Sequence, residues 1–415
     1  MPTLSAAYAH FDSPVMTQER RRVRLYFHVG LLLLILSELL SSTGLLIAPH
    51  RLLRVDPNAY SPFLSFAVGS LFVTHLLMLG RGSALRAAAM IGMIFFALHY
   101  ALFAPAYPNP VAWLGLVAYY LGLGSLVLLG LQAYFQRGTP ESKRYRFVLR
   151  AGLLPVLFVM LSWPFLESTA QFNASSYDSV LLHFDGSLGF QASLDAGRLF
   201  LEWPLLAILC QLVYTILPLA IALLYAWQCR RGHNASTMHA FVIAGIIGSA
   251  LYLVCPAAGP HYLLGDSYPL LVPELDQLSL TAGKISPAFL NAMPSLHMAW
   301  ALLIWFGLRA RAYRLRVLAI VFVLLTALAT LGIGEHYLVD LVVAFPLALL
   351  AHTLANANTR WGSRMAMCVA ITLLAGWLLY LRLGAENFGD VGRWHWLALI
   401  ATVCICLWPF KRQGS

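Results

Sequence analysis

Asn291-Ala-Met-Pro-Ser-Leu-His297 and Gly334-Glu-His336-Tyr-Leu-Val-Asp340 are two short polar segments in a chain that is otherwise strongly apolar. Each segment stands where a hydrophobic run begins, and His336 follows His297 by 39 residues. Two histidines and an aspartate can therefore meet at one surface, provided that both hydrophobic runs are helices that begin on the same side. The rest of the chain is interpreted from this condition.

The composition indicates a membrane protein. The chain has 415 residues, of which 60% are hydrophobic and 11% are charged. Apolar runs of about 17–25 residues, long enough to cross a bilayer as a helix, recur along it. Exposed strand or loop backbone cannot face lipid. We therefore predict an all-α integral membrane protein with about twelve transmembrane helices. The predicted spans lie near residues 27–48, 62–79, 87–105, 111–135, 147–167, 199–228, 238–257, 294–310, 317–333, 337–355, 365–383 and 394–410.

The net charge of +10 follows membrane topology and does not indicate a nucleic-acid partner. Most arginines and lysines gather in alternate loops, which the positive-inside rule assigns to the cytoplasm. This predicts cytoplasmic N- and C-termini and places both histidine segments on the periplasmic, lumenal or extracellular face. The loop 168–198 should share that face. Its stretch Leu181–Phe190 is too short to span and is expected to lie in the membrane interface.

The predicted spans fall into three segments. Residues 147–355 hold six spans and all the suspected chemistry, residues 1–136 hold four, and residues 365–415 hold two. The basic, polar loop 136–146 is the expected junction. The six cysteines lie in or beside apolar spans, without metal-ligand spacing or a disulfide pattern, so they are predicted to be small buried side chains. No metal and no cofactor is predicted.

His336 and Asp340 are four residues apart at the start of a predicted helix, so their side chains share a face. A carboxylate there can accept the proton of one imidazole nitrogen, which fixes the tautomer and leaves the other nitrogen free to attack phosphorus. Taken alone, such a pair is more often an interfacial contact that performs no chemistry.

Pro294-Ser-Leu-His297 has the pattern of a helix start, because proline is favoured in the first turn. Free backbone N–H groups at such a start bind anions, and Ser295 adds a hydroxyl donor. His297, one turn further on, can act as a general acid toward a departing alkoxide. A histidine at a helix start is ordinary by itself, but ionisable groups at two helix starts of one membrane face indicate a functional site.

The motifs Pro-Ser-x-His and His-x-x-x-Asp resemble the second and third signatures of the type 2 phosphatidic acid phosphatase superfamily. The resemblance covers residues 147–355 and implies a core of six helices with the signatures at one membrane face. It implies that His336 is the nucleophile, that Asp340 orients it, that His297 is the general acid, and that Ser295 binds phosphate.

Two departures from the family pattern concern cations. The first signature of the family phosphatases, Lys-x6-Arg-Pro, corresponds here to Val254–Tyr262, which contains neither lysine nor arginine. An arginine six residues before the nucleophile is replaced by Thr330. A phosphodiester carries one negative charge and needs less neutralisation than a monoester. These features resemble the inositol phosphorylceramide synthase branch, which moves phosphoinositol from a phospholipid to a lipid alcohol.

Three further residues complete the candidate substrate-binding set. His261 is a candidate substitute for a missing cation, the alternative being an interfacial histidine. Tyr262 follows it in the same segment. Lys284 is an outer-face cation within possible reach of phosphate, as is Arg198, although both are of a kind that snorkels to the interface.

The sequence therefore favours a membrane phosphotransferase that works through a phosphohistidine, with a phospholipid donor and a lipid alcohol acceptor. A lipid phosphate phosphatase using the same residues is the first alternative, because only water access separates the two. A transporter or scaffold without turnover is the second, although no inverted repeat is evident and the ionisable cluster is predicted at one face. The head group, the acceptor and the oligomeric state are not predicted.

Overall fold

A computed structural model describes most of the chain. The described residues are 13–42, 48–49, 61–80, 82–104, 107, 109–173, 175–231, 236–271, 282–283, 289–308, 311–356, 361–383 and 392–411. Within them the chain forms sixteen α-helices and no β-strand. The helices are α1 Pro14–Ser41, α2 Pro62–Leu79, α3 Ser83–Phe103, α4 Pro110–Phe135, α5 Pro140–Phe172, α6 Asp178–Ser187, α7 Ala192–Glu202, α8 Pro204–Thr215, α9 Leu217–Arg230, α10 Ser236–Tyr252, α11 Pro260–Leu264, α12 Leu296–Leu308, α13 Tyr313–Gly332, α14 Leu338–Ala355, α15 Trp361–Leu383 and α16 Gly392–Lys411.

The helices confirm an all-α membrane protein. Eight of the described helices are long and apolar enough to cross a bilayer, and α8 with α9 adds a ninth if this broken pair counts as one span. Shorter apolar helices, α10, α12 and the part of α16 from Trp394 to Phe410, occupy three other predicted span positions. Leu32, Leu39 and Leu324 each leave more than 60% of their surface exposed, as expected for side chains that face lipid.

Two predictions of helix boundaries are wrong. The span 199–228 is not continuous, because new helices begin at Pro204 and again at Leu217, just before Pro218. The polar loop 136–146 is mostly helix. Thr139 Oγ1 accepts the Ser142 N–H at 3.2 Å and caps α5, which therefore begins at Pro140.

The chain forms two compact units. Their boundaries differ from those of the three segments predicted from the sequence. One unit comprises residues 1–165 and 215–238, and the other comprises 166–214 and 239–415. In the first unit α4 packs closely on α2 and α3. A Cβ at Gly122 would overlap the Val68 carbonyl, and one at Gly124 would overlap the Ala88 carbonyl, so small residues permit these contacts.

The second unit is arranged around α14, which contacts α6, α12, α15 and α16. Short α6 is part of the interior of this unit. Leu181, Leu182 and Phe184 are completely buried. The prediction that this stretch lies in the membrane interface is therefore wrong, because its apolar side chains pack against protein.

Candidate active site

The starts of α12 and α14 lie side by side. The Ser295 backbone N–H donates to the Asp340 carbonyl at 3.3 Å. Ser295 Oγ accepts the Met298 N–H at 3.3 Å, which makes Ser295 the N-cap of α12. Pro294 therefore precedes the helix. The sequence predicted it in the first turn, and that prediction is wrong. The Ser295 hydroxyl keeps its own proton as a donor.

His336 is held in one tautomer. Its side chain is 2% exposed, and Nδ1 lies 2.8 Å from the Ala292 carbonyl oxygen and 3.5 Å from Asp340 Oδ2. A carbonyl only accepts, so Nδ1 carries the proton and Nε2 carries the lone pair. The sequence predicted Asp340 as the acceptor, but the shorter contact is made by a backbone carbonyl.

Asp340 places a buried carboxylate beside His336 Nδ1. Its Oδ2 accepts the Tyr337 N–H at 2.8 Å, while its Oδ1 is buried without a hydrogen-bond partner among the described residues. Burial lowers the pKa of His336 to about 4, although the neighbouring Glu335 charge and the bond to Ala292 oppose the shift. The imidazole is therefore neutral at pH 7, which is the form that can attack phosphorus.

His297 lies beside His336, with 6.3 Å between the two ring centroids. Tyr214 of α8 stacks on the His297 ring at 3.9 Å, and Trp300 packs edge-on to it at 5.9 Å. The structure thus brings together both predicted histidines, Asp340 and Ser295. The supporting Tyr214 has no distinguishing feature in the sequence.

Asp178, the first residue of α6, was not singled out as a site residue by the sequence. Its carboxylate accepts the N–H groups of Ala258 at 2.9 Å and Gly259 at 2.7 Å, and the Tyr337 hydroxyl at 2.9 Å. Burial raises the pKa of Asp178, and these three donors oppose the shift. The carboxylate therefore joins the segment that corresponds to the first family signature to the residue next to His336.

Asp185, at the other end of α6, caps α14. Its Oδ2 accepts the Leu338 N–H at 2.6 Å, and its Oδ1 accepts the Val339 N–H at 3.3 Å. Burial raises the pKa of Asp185 to about 8, assisted by the Asp340 charge and opposed by these hydrogen bonds. The available sequence signal for both aspartates was a carboxylate within an apolar run, which is costly to bury without a partner.

The segment around His261 lines the same turn. His261 donates its backbone N–H to the Gly334 carbonyl at 3.0 Å, and its exposed ring lies edge-on to Tyr262 at 5.4 Å and to Tyr268 at 5.8 Å. The Tyr262 hydroxyl donates to Glu335 Oε1 at 3.4 Å. Glu335, which the sequence did not single out, is thus a partly buried carboxylate immediately before His336.

Of the other residues considered in the sequence, Arg198 and Thr330 lie within the described part of the chain. Lys284 lies outside the described residues. Arg198 is exposed and pairs with Asp195 at 3.4 Å. Thr330 is buried within α13 and donates its hydroxyl to the Ala327 carbonyl at 2.9 Å. Among the described residues, no group of three or more histidine, cysteine, aspartate or glutamate side chains could hold a metal ion.

Comparison with family models finds a match to part of the chain. Residues 179–354 match the model of the PAP2 superfamily. The match is shorter than half of the chain and runs from α6 to the end of α14. It includes both histidines and Asp340, and it supports an enzyme of the phosphatase or phosphotransferase type. It does not distinguish the inositol phosphorylceramide synthase branch.

Other comparisons add no relative. No curated protein matches the chain. No solved structure matches it either.

Proposed function

We propose that the protein is a lipid phosphotransferase that moves a phosphoinositol-like head group from a phospholipid to a lipid alcohol. The observation that carries this proposal is the tautomer of His336. Its Nδ1 proton is directed at Ala292, so the lone pair on Nε2 is available to a phosphodiester beside His297. A ring separation of 6.3 Å is compatible with one phosphoryl group between the two imidazoles.

The reaction has two displacements. His336 Nε2 attacks phosphorus, and the bond from phosphorus to the lipid oxygen breaks as protonated His297 gives that oxygen its proton. A lipid alcohol then enters and loses its hydroxyl proton to His297. Its oxygen attacks phosphorus, and the P–N bond returns its electron pair to Nε2. Ser295 provides a hydroxyl donor for a phosphate oxygen, and Asp340 stabilises positive charge on the His336 ring.

The charge of the site favours a diester over a monoester. Val254–Tyr262 contains no lysine or arginine, and Thr330 supplies only a buried hydroxyl. Among the described residues, neither Glu335 nor Asp340 forms an ion pair with a lysine or an arginine. A singly charged phosphodiester is better tolerated in such a site than a dianionic monoester.

Glu335 and Tyr262 support a head group rich in hydroxyls. Burial raises the pKa of Glu335, and the neighbouring His336 and the hydrogen bond from the Tyr262 hydroxyl oppose the shift. A carboxyl group and a phenol hydroxyl together offer donors and acceptors to a polyol. We expect Glu335→Gln to weaken use of a polyol head group more than use of a phosphoethanolamine head group. Equal loss on both substrates would contradict this assignment.

The orientation is also part of the proposal. The distribution of basic residues in the sequence places the starts of α12 and α14 on the extracytoplasmic face, with both termini in the cytoplasm. Cysteine labelling with a membrane-impermeant reagent at exposed His261 (His261→Cys) and at an introduced C-terminal cysteine would test it. Labelling of the C-terminal site alone in sealed, right-side-out vesicles would reverse the assignment.

Product analysis distinguishes the activities. Purified protein in detergent would receive phosphatidylinositol labelled in its head group, with and without ceramide or diacylglycerol, and phosphatidic acid in a parallel reaction. Transfer of label to the lipid alcohol is expected. Free inositol phosphate, or phosphate released from phosphatidic acid, would instead support the hydrolase.

Matched variants test the site in the same assay. His336→Ala should lose all transfer, whereas His352→Ala removes an imidazole from the far end of the same helix and should retain it. Full activity in His336→Ala would exclude the phosphohistidine. Absence of turnover on every phospholipid and on phosphatidic acid would favour the transporter or scaffold.

A further inference from the structure

The two C-terminal helices, α15 and α16, lie beyond the family match but pack against α14. Nothing in their sequence suggests a role in the reaction. They also contact the segment 178–190, which carries Asp178 and Asp185, through a group of polar side chains that are buried or partly buried.

Tyr380 of α15, His395 of α16 and Ser187 of α6 form a directed chain of hydrogen bonds. The Ser187 hydroxyl donates to the Phe184 carbonyl at 2.6 Å, so Ser187 Oγ is the acceptor of its 2.7 Å contact with His395 Nδ1. His395 Nδ1 therefore carries the proton, and Nε2 accepts the Tyr380 hydroxyl at 2.6 Å. His395 is buried, with 3% of its surface exposed.

Further contacts attach the same helices to this segment. The Trp396 indole N–H donates to the Leu188 carbonyl at 3.1 Å, and its ring stacks on Phe190 with 5.8 Å between the centroids. The Phe184 ring lies 4.5 Å from His395 and 5.8 Å from Trp377. α6 is thus held on this side by both hydrogen bonds and ring contacts.

The same helix holds the catalytic turn. Asp185 lies two residues before Ser187 and accepts the Leu338 and Val339 N–H groups at 2.6 and 3.3 Å. Leu338 in turn lies two residues after His336. A rotation of α6 that follows loss of the His395 contacts would therefore move the cap of α14 and the backbone that fixes His336.

We propose that His395, supported by Tyr380, is a positioning residue for phosphoryl transfer that acts through Ser187 and Asp185 on His336. The proposal rests on the proposed function. A misplacement of about 1 Å in a reacting group can cost about a hundredfold in rate, so a residue remote from phosphorus can have a large effect. The C-terminal helices then belong to the catalytic unit.

Three variants separate positioning from packing. His395→Phe keeps a ring against Phe184 and removes both hydrogen bonds. His395→Gln can donate to Ser187 and accept from Tyr380, so it should restore part of the chain. Thr402→Val is the matched control, because it removes the 2.8 Å hydrogen bond from the Trp377 indole N–H, which joins the same two helices, and leaves in place the ring contact of Trp377 with Phe184 and every hydrogen bond to α6.

The measurements are kcat and KM for head-group transfer, together with deuterium exchange of the Leu338 and Val339 amides in the full-length protein. We expect His395→Phe to lower kcat about ten- to a hundredfold at unchanged KM and to accelerate exchange at both amides. His395→Gln should recover most of the rate. Thr402→Val should leave both quantities near the wild-type values.

Two outcomes would overturn the proposal. One is wild-type kcat and wild-type exchange in His395→Phe, and the other is an equal effect in Thr402→Val. If the wild-type protein transfers no head group, the proposed function fails, while the exchange measurement still decides positioning. Faster exchange in His395→Phe but not in Thr402→Val would then support the link to α14, and unchanged exchange would exclude it.

Discussion

Replacing Asp340 by asparagine tests how His336 becomes an effective nucleophile. When Nε2 attacks phosphorus and Nδ1 keeps its proton, the ring gains positive charge in the transition state. Asp340 Oδ2 lies 3.5 Å from Nδ1. Two unit charges at this distance attract by about 4.7 kcal/mol at an effective dielectric constant of about 20, and a half-developed charge reduces this to about 2.4 kcal/mol.

The expected loss in kcat for Asp340→Asn is therefore between about fiftyfold and about 3000-fold. Some activity should remain, because the Ala292 carbonyl accepts the Nδ1 proton at 2.8 Å whichever residue occupies position 340. His336→Ala, by contrast, removes the attacking atom and should leave only background. Asp340→Asn should thus give a slow enzyme with the correct tautomer.

The assay is a single-turnover reaction with labelled phospholipid, quenched in base so that phosphohistidine survives. Asp195→Asn is the control, because it removes an exposed aspartate that pairs with Arg198 at 3.4 Å, away from the described site contacts. A rate for Asp340→Asn within threefold of wild type would refute the electrostatic role. A rate equal to that of His336→Ala would show that the Ala292 contact does not suffice to hold the tautomer.

Three other predictions concern protonation and stability. Burial lowers the pKa of His336 to about 4, so the imidazole stays neutral as the pH falls to that value. A pH profile of kcat/KM should therefore lose activity on its acid side near pH 4. Loss of activity near pH 6.5, the pKa of a free histidine, would contradict this. Asp178→Ala leaves two backbone N–H groups and the Tyr337 hydroxyl without their acceptor. The free energy of unfolding, measured by thermal unfolding, should therefore fall by roughly 3–6 kcal/mol. Asp195→Ala is the control and should change it little. Gly259→Ala places a Cβ 2.6 Å from two carbonyl oxygens at a φ of +112°, so it should lower the unfolding temperature and the rate together; wild-type values for both would show that the turn can relax.

Sequence reasoning succeeded where one physical constraint acts on a continuous stretch. Bilayer thickness sets the length of apolar helices, so the spans were recognisable. Two helix starts with ionisable residues marked the site. The acceptor for His336 is the carbonyl of Ala292, and a backbone carbonyl has no signature in the sequence. The roles of Asp178 and Asp185 depend on partners more than 70 residues away, which no local pattern contains.

The error on α6 has a different cause. A run of ten helical residues with apolar side chains, Asp178–Ser187, is compatible both with the membrane interface and with a protein interior. Only the presence of α14, α15 and α16 around it decides between these environments. The breaks before Pro204 and Pro218 were missed because average hydropathy ignores backbone geometry.

The separation of the site's contacts along the chain bears on biosynthesis. Asp178 and Tyr337 are 159 residues apart, and Ser187 and His395 are 208 residues apart. Closing such long loops is slow relative to forming local helices. The chain must therefore be synthesised and inserted almost as far as α16 before all of the contacts that hold α6 beside His336 can form. A nascent chain that stops short of α16 would contain every residue of the family match and would still lack the contacts that hold α6 against its C-terminal partners.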